Sequence, residues 1–164
     1  MKSVSVVINA RLGSTRVKNK LMVILQEVKV SVCISIYNGE RFIRKCLDSV
    51  VCQTLKEIEI VLVNNGSTDS SLDIMNEYKK KYPNIVRVYS QEDKGLAQGR
   101  QTGVENARGQ FIAFLDADDF VTKDAYEKMY DSAIKHNVDI VECMTLEGDK
   151  LIQSRYKGVK KASE

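Results

Sequence analysis

What the 164-residue sequence has little of narrows its function first. Its net charge is only +3, and no basic stripe interleaved with aromatic side chains runs along it, so the footprint of a nucleic-acid binder is missing. Cys33, Cys46, Cys52 and Cys143 show no Cys-x-x-Cys spacing and sit in apolar patterns, which argues against structural zinc and for small core residues in a reducing compartment. The opening Met1 to Ile8 has one basic residue, an apolar stretch too short to span a membrane and no cleavage site. Together these absences lead to the expectation of a cytoplasmic protein. The sole histidine, His136, falls near the end of a helical pattern and reads as a helix-end residue rather than a base. There is no low-complexity segment, and the only hint of repetition is a strand pattern that begins again at Val30.

What is there begins with composition. With 43% apolar and 29% charged residues, the chain is an ordinary globular protein with room for one core. Its most telling stretch runs from Phe111 to Asp119. The unbroken apolar run Phe111-Ile112-Ala113-Phe114-Leu115 is that of a strand buried on both faces, and it ends in Asp116, Asp118 and Asp119. Two readings fit this ending. Ionised carboxylates so close together repel one another, and a divalent cation would offset their charge. Hard oxygen ligands suit Mg2+ or Mn2+, which in turn bind diphosphates. In the second reading, Asp118 or Asp119 caps the following helix and the others are solvated turn residues.

Around this stretch the pattern alternates. Val4 to Asn9 reads as a strand, followed by the loop Arg11-Leu12-Gly13-Ser14-Thr15-Arg16, which is either an exposed polar loop or a holder of phosphate oxygens. Val30 to Ile36 is a second strand, and Tyr37-Asn38-Gly39 turns the chain. From Glu40 to Cys52 the apolar residues Ile43, Cys46, Leu47, Val50 and Val51 recur at helical spacing. Ile58 to Val63 is a third strand. It leads into Asn64-Asn65-Gly66-Ser67-Thr68-Asp69, where Ser67 or Thr68 can cap a helix that buries Leu72, Met75 and Tyr78 and stops at Pro83. After a short strand from Ile85 to Tyr89, Glu92 to Gly103 brings three glycines, Gly95, Gly99 and Gly103, to the start of a helix. Beyond the acidic stretch, Thr122 can cap a helix with Ala125, Met129, Ala133 and Ile134 inward, and Val138 to Met144 closes the series as a strand.

Strands alternating with helices through short loops indicate parallel pairing by right-handed crossovers. Ligands of such sheets bind beyond the carboxyl ends of the strands, where all three polar loops fall. Three regions follow: residues 1–28, an α/β domain over 29–146, and a tail over 147–164 carrying Lys150, Arg155, Lys157, Lys160 and Lys161. That tail is either a solvated terminus or a patch for an acceptor or the inner face of a membrane.

Two resemblances add to this. The stretch Ile8-Asn9-Ala10-Arg11-Leu12-Gly13-Ser14-Thr15-Arg16-Val17, with Lys18 and Lys20, resembles the opening of cytidylyltransferases that activate acidic sugars, a likeness that stops near Leu25. From Lys29 to about Leu146 the chain resembles the nucleotide-sugar-binding half of an inverting family-2 glycosyltransferase of the GT-A fold. The motifs that carry the likeness are Val32 to Glu40, Asn65-Gly66-Ser67-Thr68-Asp69, Gly95 with Arg100 and Gly103, and Phe114-Leu115-Asp116-Ala117-Asp118-Asp119. The implied fold is a mostly parallel, Rossmann-like sheet flanked by helices and truncated after the nucleotide-binding half.

The resemblance implies roles by position. Tyr37 and Glu40, with Asn38, would line the pocket for base and ribose. Asn65, with Ser67 and Asp69 beside it, stands where an aspartate usually receives the uracil N–H, so the preferred base is open. Arg100 would approach the diphosphate or the base edge, or else pair with a carboxylate. Asp116 and Ala117 would lie against the ribose, and Asp118, helped by Asp119, would hold Mg2+ or Mn2+ between the phosphates. The implied partners are a nucleotide-sugar donor, most simply a UDP-sugar, and a saccharide, lipid-linked or protein acceptor, with self-association or a second subunit completing the acceptor half. No late carboxylate, Glu142, Glu147 or Asp149, has the context of a catalytic base. A non-catalytic nucleotide-sugar-binding remnant or fusion, and a cytidylyltransferase using Arg11 to Lys20, are the competing expectations.

Overall fold

The computed structural model describes residues 7–10, 27–143, 145–147 and 150–152. The Arg11 to Lys20 loop and the basic tail beyond Ile152 lie outside the described residues, as do the expectations placed on them. The described strands are β1 (Val7–Ala10), β2 (Val30–Ile36), β3 (Ile58–Asn65), β4 (Val86–Gln91), β5 (Phe111–Phe114), β6 (Ile140–Glu142), β7 (Thr145–Glu147) and β8 (Lys150–Ile152). The helices are α1 (Ile43–Val51), α2 (Ser71–Lys81), α3 (Leu96–Asn106) and α4 (Ala125–His136).

A six-stranded sheet has the order β4-β3-β2-β5-β1-β6. Its first four strands are parallel, with Val30 opposite both Ile58 and Phe111, as the alternating pattern requires. The exception is β1, which lies antiparallel between β5 and β6, pairing Ile8 with both Ala113 and Val141. An apolar pattern specifies a strand but not its direction, and the parallel rule applies only within strand-helix-strand units. β7 and β8 form a separate antiparallel pair.

Both faces of the central strands are covered, which explains their near-continuous apolar runs. Because side chains alternate along a strand, Val30, Val32, Ile34, Ile36, Ile58, Ile60 and Leu62 face one core, completed by α1, α2 and α4. Cys33, Val61, Val63 and Ile112 face a smaller one with Ala107, at the end of α3. On α1 the buried positions are Ile43, Cys46, Leu47 and Val50, as their spacing predicts. Two helical phases differ from expectation. α2 starts at Ser71 and buries Ile74, Met75 and Tyr78, leaving Leu72 half-buried, while α4 buries Tyr126, Met129 and Ala133 and leaves Ile134 exposed. Cys52, at the end of α1, is exposed rather than in the core.

Two devices fix the frame of the sheet. α3 lies against β2 because Gly103 has no side chain, since a Cβ there would stand 3.0 Å from the Cys33 Cβ. Near the start of β3, Glu59 is 1% exposed and is held by Ser31 Oγ (2.5 Å), the Arg108 N–H (2.6 Å), Arg108 Nε (2.9 Å) and an Arg87 guanidinium nitrogen (2.7 Å). Burial works to raise its pKa, but the hydrogen bonds from Ser31 and Arg108 and the charge of Arg87 outweigh burial and leave it below the ordinary glutamate value.

Candidate functional site

A cavity of about 490 Å3 opens beyond the carboxyl ends of β2, β3 and β5, where an open α/β sheet places its ligand. On the β5 side of the sheet edge stand Asp116, Ala117 and Asp118. From β2, β3 and the segment after β4 come Ser35, Asn65, Asp93 and Gly95, and the half-exposed apolar side chains of Tyr37, Phe42 and Leu96 also line it.

The acidic end is built by the exit of β5. The Leu115 N–H donates to the Cys33 carbonyl (3.2 Å), and the Asp119 N–H donates to the Asp116 carbonyl (3.1 Å), turning the chain so that three carboxylates share one corner. Their mutual effect is legible in Asp119, whose carboxyl is pushed up to about 6 by burial and then by the charges of Asp118 and Asp116. The buried Cys46 thiol, which reaches the Asp116 carbonyl at 3.6 Å, is pushed up to about 12 by burial and by the same aspartates. Neither Asp118 nor Asp119 caps the next helix, because α4 begins at Ala125 with Asp124 in front of it. That removes the capping part of the second reading, while Asp116 and Asp118 are exposed, as its turn-residue part expects.

Arg100 projects from α3 and pairs with Asp116 Oδ1 at 2.8 Å, over the Phe114 ring at 5.9 Å. Its partner Asp116 lines the cavity, whereas Arg100 and Asp119 are not among the lining residues. Among the described residues no three acidic, histidine or cysteine side chains converge into a ready-made cation cage.

Glu40, Ser67 and Asp69 do not line the cavity, and instead stitch two loops together. The Glu40 N–H donates to Asp69 Oδ2 (3.0 Å), and the Ser70 N–H donates to Glu40 Oε2 (3.0 Å). The Ser71 N–H donates to Asp69 Oδ1 (2.9 Å), so Asp69 and Glu40 satisfy the start of α2, the task expected of Ser67 or Thr68. Ser67 Oγ accepts from the Asn38 N–H (3.1 Å), and Asn38 Oδ1 accepts from the Thr68 N–H (2.8 Å). Asn38 itself borders the cavity in a left-handed conformation, φ 49°. These bonds hold the loops after β2 and β3 as one rigid wall.

Asn65 is 2% exposed and fully engaged. Its amide nitrogen donates to Asp93 Oδ1 (2.9 Å) and the Gly95 carbonyl (3.3 Å), and its oxygen accepts from Gln91 Nε2 (2.7 Å). Sequence reasoning missed Asp93, Ser35, Phe42 and Leu96. Only the acidic pair Glu92-Asp93 at the head of the glycine-containing segment 92–103 gave a signal that could have found Asp93, whereas nothing in the spacing distinguishes Phe42 or Leu96 from ordinary surface residues.

An acidic corner and a polar recess thus share one cavity at the carboxyl edge of a parallel α/β sheet, the edge at which open sheets of this class bind their ligands. Residues 31–160 match glycosyl transferase family 2, and the chain belongs to that family. It is 40% identical over 116 residues to glycosyltransferase GlyA of Streptococcus pneumoniae, covering 71% of this chain and 16% of GlyA. Among solved structures it is similar to S. aureus TarS 1-349 in complex with UDP, at 27% identity and a TM-score of 0.59, covering 68% of this chain and 33% of that TarS fragment. It is also similar to GalNAc-T7 with UDP, GalNAc and Mn2+, at 28% identity and a TM-score of 0.58, covering 65% and 21%. The chain thus spans no more than a third of these relatives. Among the described residues no helix is long and apolar enough to cross a membrane.

Proposed function

We propose that the chain is the donor-binding part of a glycosyltransferase, taking a nucleoside diphosphate sugar, most simply a UDP-sugar, for inverting transfer to an acceptor hydroxyl. The observation that carries this is the cavity joining the acidic corner at Asp116 and Asp118 to the recess around Asn65 and Asp93. The pyrophosphate would lie at the corner and the base in the recess, with the Tyr37 ring against the heterocycle. TarS, solved with UDP, and GalNAc-T7, solved with UDP, GalNAc and Mn2+, support a nucleotide donor as the ligand by likeness of fold.

The corner would suit a divalent cation. Asp119, with its carboxyl raised to about 6 by burial and its aspartate neighbours, is a group whose ionised form gains from an added positive charge. Asp118 and Asp119 would hold Mg2+ or Mn2+ through hard oxygen atoms, with phosphate oxygens completing the shell that the protein alone does not close. The cation would supply Lewis-acid stabilisation of the leaving diphosphate. Arg100, already at Asp116, would exchange that carboxylate for a phosphate oxygen as donor enters, which an exposed ion pair permits at small cost. No described residue is assigned as catalytic base. The proposed setting is cytoplasmic, with a saccharide, lipid or protein acceptor bound by parts beyond those described.

Calorimetric titration of the chain with UDP, with and without Mn2+, tests this reading. Micromolar-range binding that needs the cation and is lost in Asp118→Ala is the expected result. Equal affinity of the wild type and Asp118→Ala refutes the corner as the diphosphate site, and pyrophosphate release from CTP would point to the cytidylyltransferase instead.

A further inference from the structure

From the hydrogen bonds at the recess we infer that Asp93, not Asn65, reads the nucleotide base, and that it selects a base presenting a ring N–H, as uracil and guanine do and cytosine does not. The inference rests on the donor-site reading above and assigns its base end.

The argument begins with the orientation of Asn65. A carboxylate only accepts, so the Asn65 atom 2.9 Å from Asp93 Oδ1 must be the amide nitrogen. Its second hydrogen goes to the Gly95 carbonyl, and its oxygen receives Gln91 Nε2. Gln91 is fixed in turn, because its own oxygen accepts from Thr102 Oγ1 at 2.6 Å. Both donors of Asn65 are therefore spent, its acceptor is engaged, and the side chain is buried. It is the inner link of a relay that runs from Thr102 through Gln91 to Asp93.

Asp93 stands at the cavity end of that relay. Its Oδ1 takes the Asn65 amide and the Gly95 N–H, each at 2.9 Å, while Oδ2 makes no hydrogen bond among the described residues. The backbone holds it in place from behind, since a Cβ on Gly66 would stand 2.6 Å from the Asp93 nitrogen. The result is a positioned carboxylate lining the cavity with one oxygen unspent. Such an oxygen can only accept. It therefore favours the N3–H of uracil or the N1–H of guanine, and faces the N3 lone pair of cytosine unfavourably. A charged acceptor also supplies the charge-assisted bond that the amide of Asn65 cannot.

The test is titration of the full chain, with Mn2+, against UDP, CDP and UDP methylated at uracil N3, which lacks the donor. The wild type is expected to bind UDP about tenfold or more tighter than either of the others. Asp93→Asn, with no change of shape, is expected to lose most of that discrimination. The exchange Asn65→Asp/Asp93→Asn, which returns one carboxylate to the pair, is expected to recover part of it. Equal wild-type affinity for UDP and its N3-methyl form overturns the inference without needing any variant. Unchanged discrimination in Asp93→Asn overturns it too, and if Asp118→Ala still abolishes UDP binding, the donor site stands while its base reader lies elsewhere. No binding of any of the three by the wild type overturns the inference together with the donor-site reading.

Discussion

Replacing Gly66 by alanine joins the frame of this protein to its site. Gly66 follows the last residue of β3 with φ at +77°, a region where a Cβ costs about 1–2 kcal/mol. The new methyl would also stand 2.6 Å from the Asp93 nitrogen and 3.0 Å from the Asp93 Cβ. A backbone atom has no rotamer by which to yield, so loop 92–95 must shift, at an overpacking cost of about 1–3 kcal/mol. The sum is about 2–5 kcal/mol, and with an m of about 2 kcal/mol/M the urea midpoint falls by about 1–2.5 M. Gly95→Ala is the internal control. Gly95 has a similar φ, +82°, with ψ at 163° in a region essentially confined to glycine, but a Cβ there meets nothing within 4 Å, so only the conformational cost of about 1–3 kcal/mol remains. Urea unfolding followed by circular dichroism measures both, and UDP titration of the folded variants reports whether Asp93 has moved. Equal midpoints for the two variants would refute the claim that contact between the β3 turn and the Asp93 loop, rather than backbone strain, sets the cost.

Two further outcomes separate structural from ligand-binding charge. Arg100→Ala removes an ion pair whose partners are 42% and 50% exposed, so stability should change by no more than about 1 kcal/mol while UDP affinity falls. A destabilised variant with unaltered affinity would show that Arg100 is a structural residue. Glu59→Gln should cost about 3 kcal/mol at neutral pH, because it leaves Arg87 and Arg108 without their buried carboxylate. The folded-state pKa of Glu59 lies below the ordinary value, so its stabilisation is complete above the ordinary glutamate range and is lost as pH falls through the lowered value. The gap between wild type and variant should therefore close on acidification, and a gap that stays constant down to about pH 3 would contradict the assignment.

The polar loops illustrate where the sequence was legible. The run from Phe111 to Leu115 identified a buried strand, and the aspartates after it identified a corner, because apolar continuity and carboxylate crowding are local properties. Placement of the three loops at one edge followed from strand-helix alternation alone. Which polar residues face the cavity was not legible. Glu40, Ser67 and Asp69 look like ligand groups in sequence, yet they bond to neighbours about thirty residues away, because the loops after β2 and β3 lie side by side. Asn65 and Asp93 show the converse, since their hydrogen bond exists only once β3 and the segment before α3 are brought together.

The sequence by itself determined the order of strands and helices, the core faces of α1 and the central strands, and the acidic ending of β5, all of which follow from periodicity and composition along the chain. The antiparallel direction of β1, the seating of α3 on β2 and the division of polar side chains between loop stitching and cavity wall were decided only by tertiary structure. Their physical reason is shared. A hydrogen-bonding group commits to whatever partner folding brings within about 3 Å, and that partner is not written beside it in the chain.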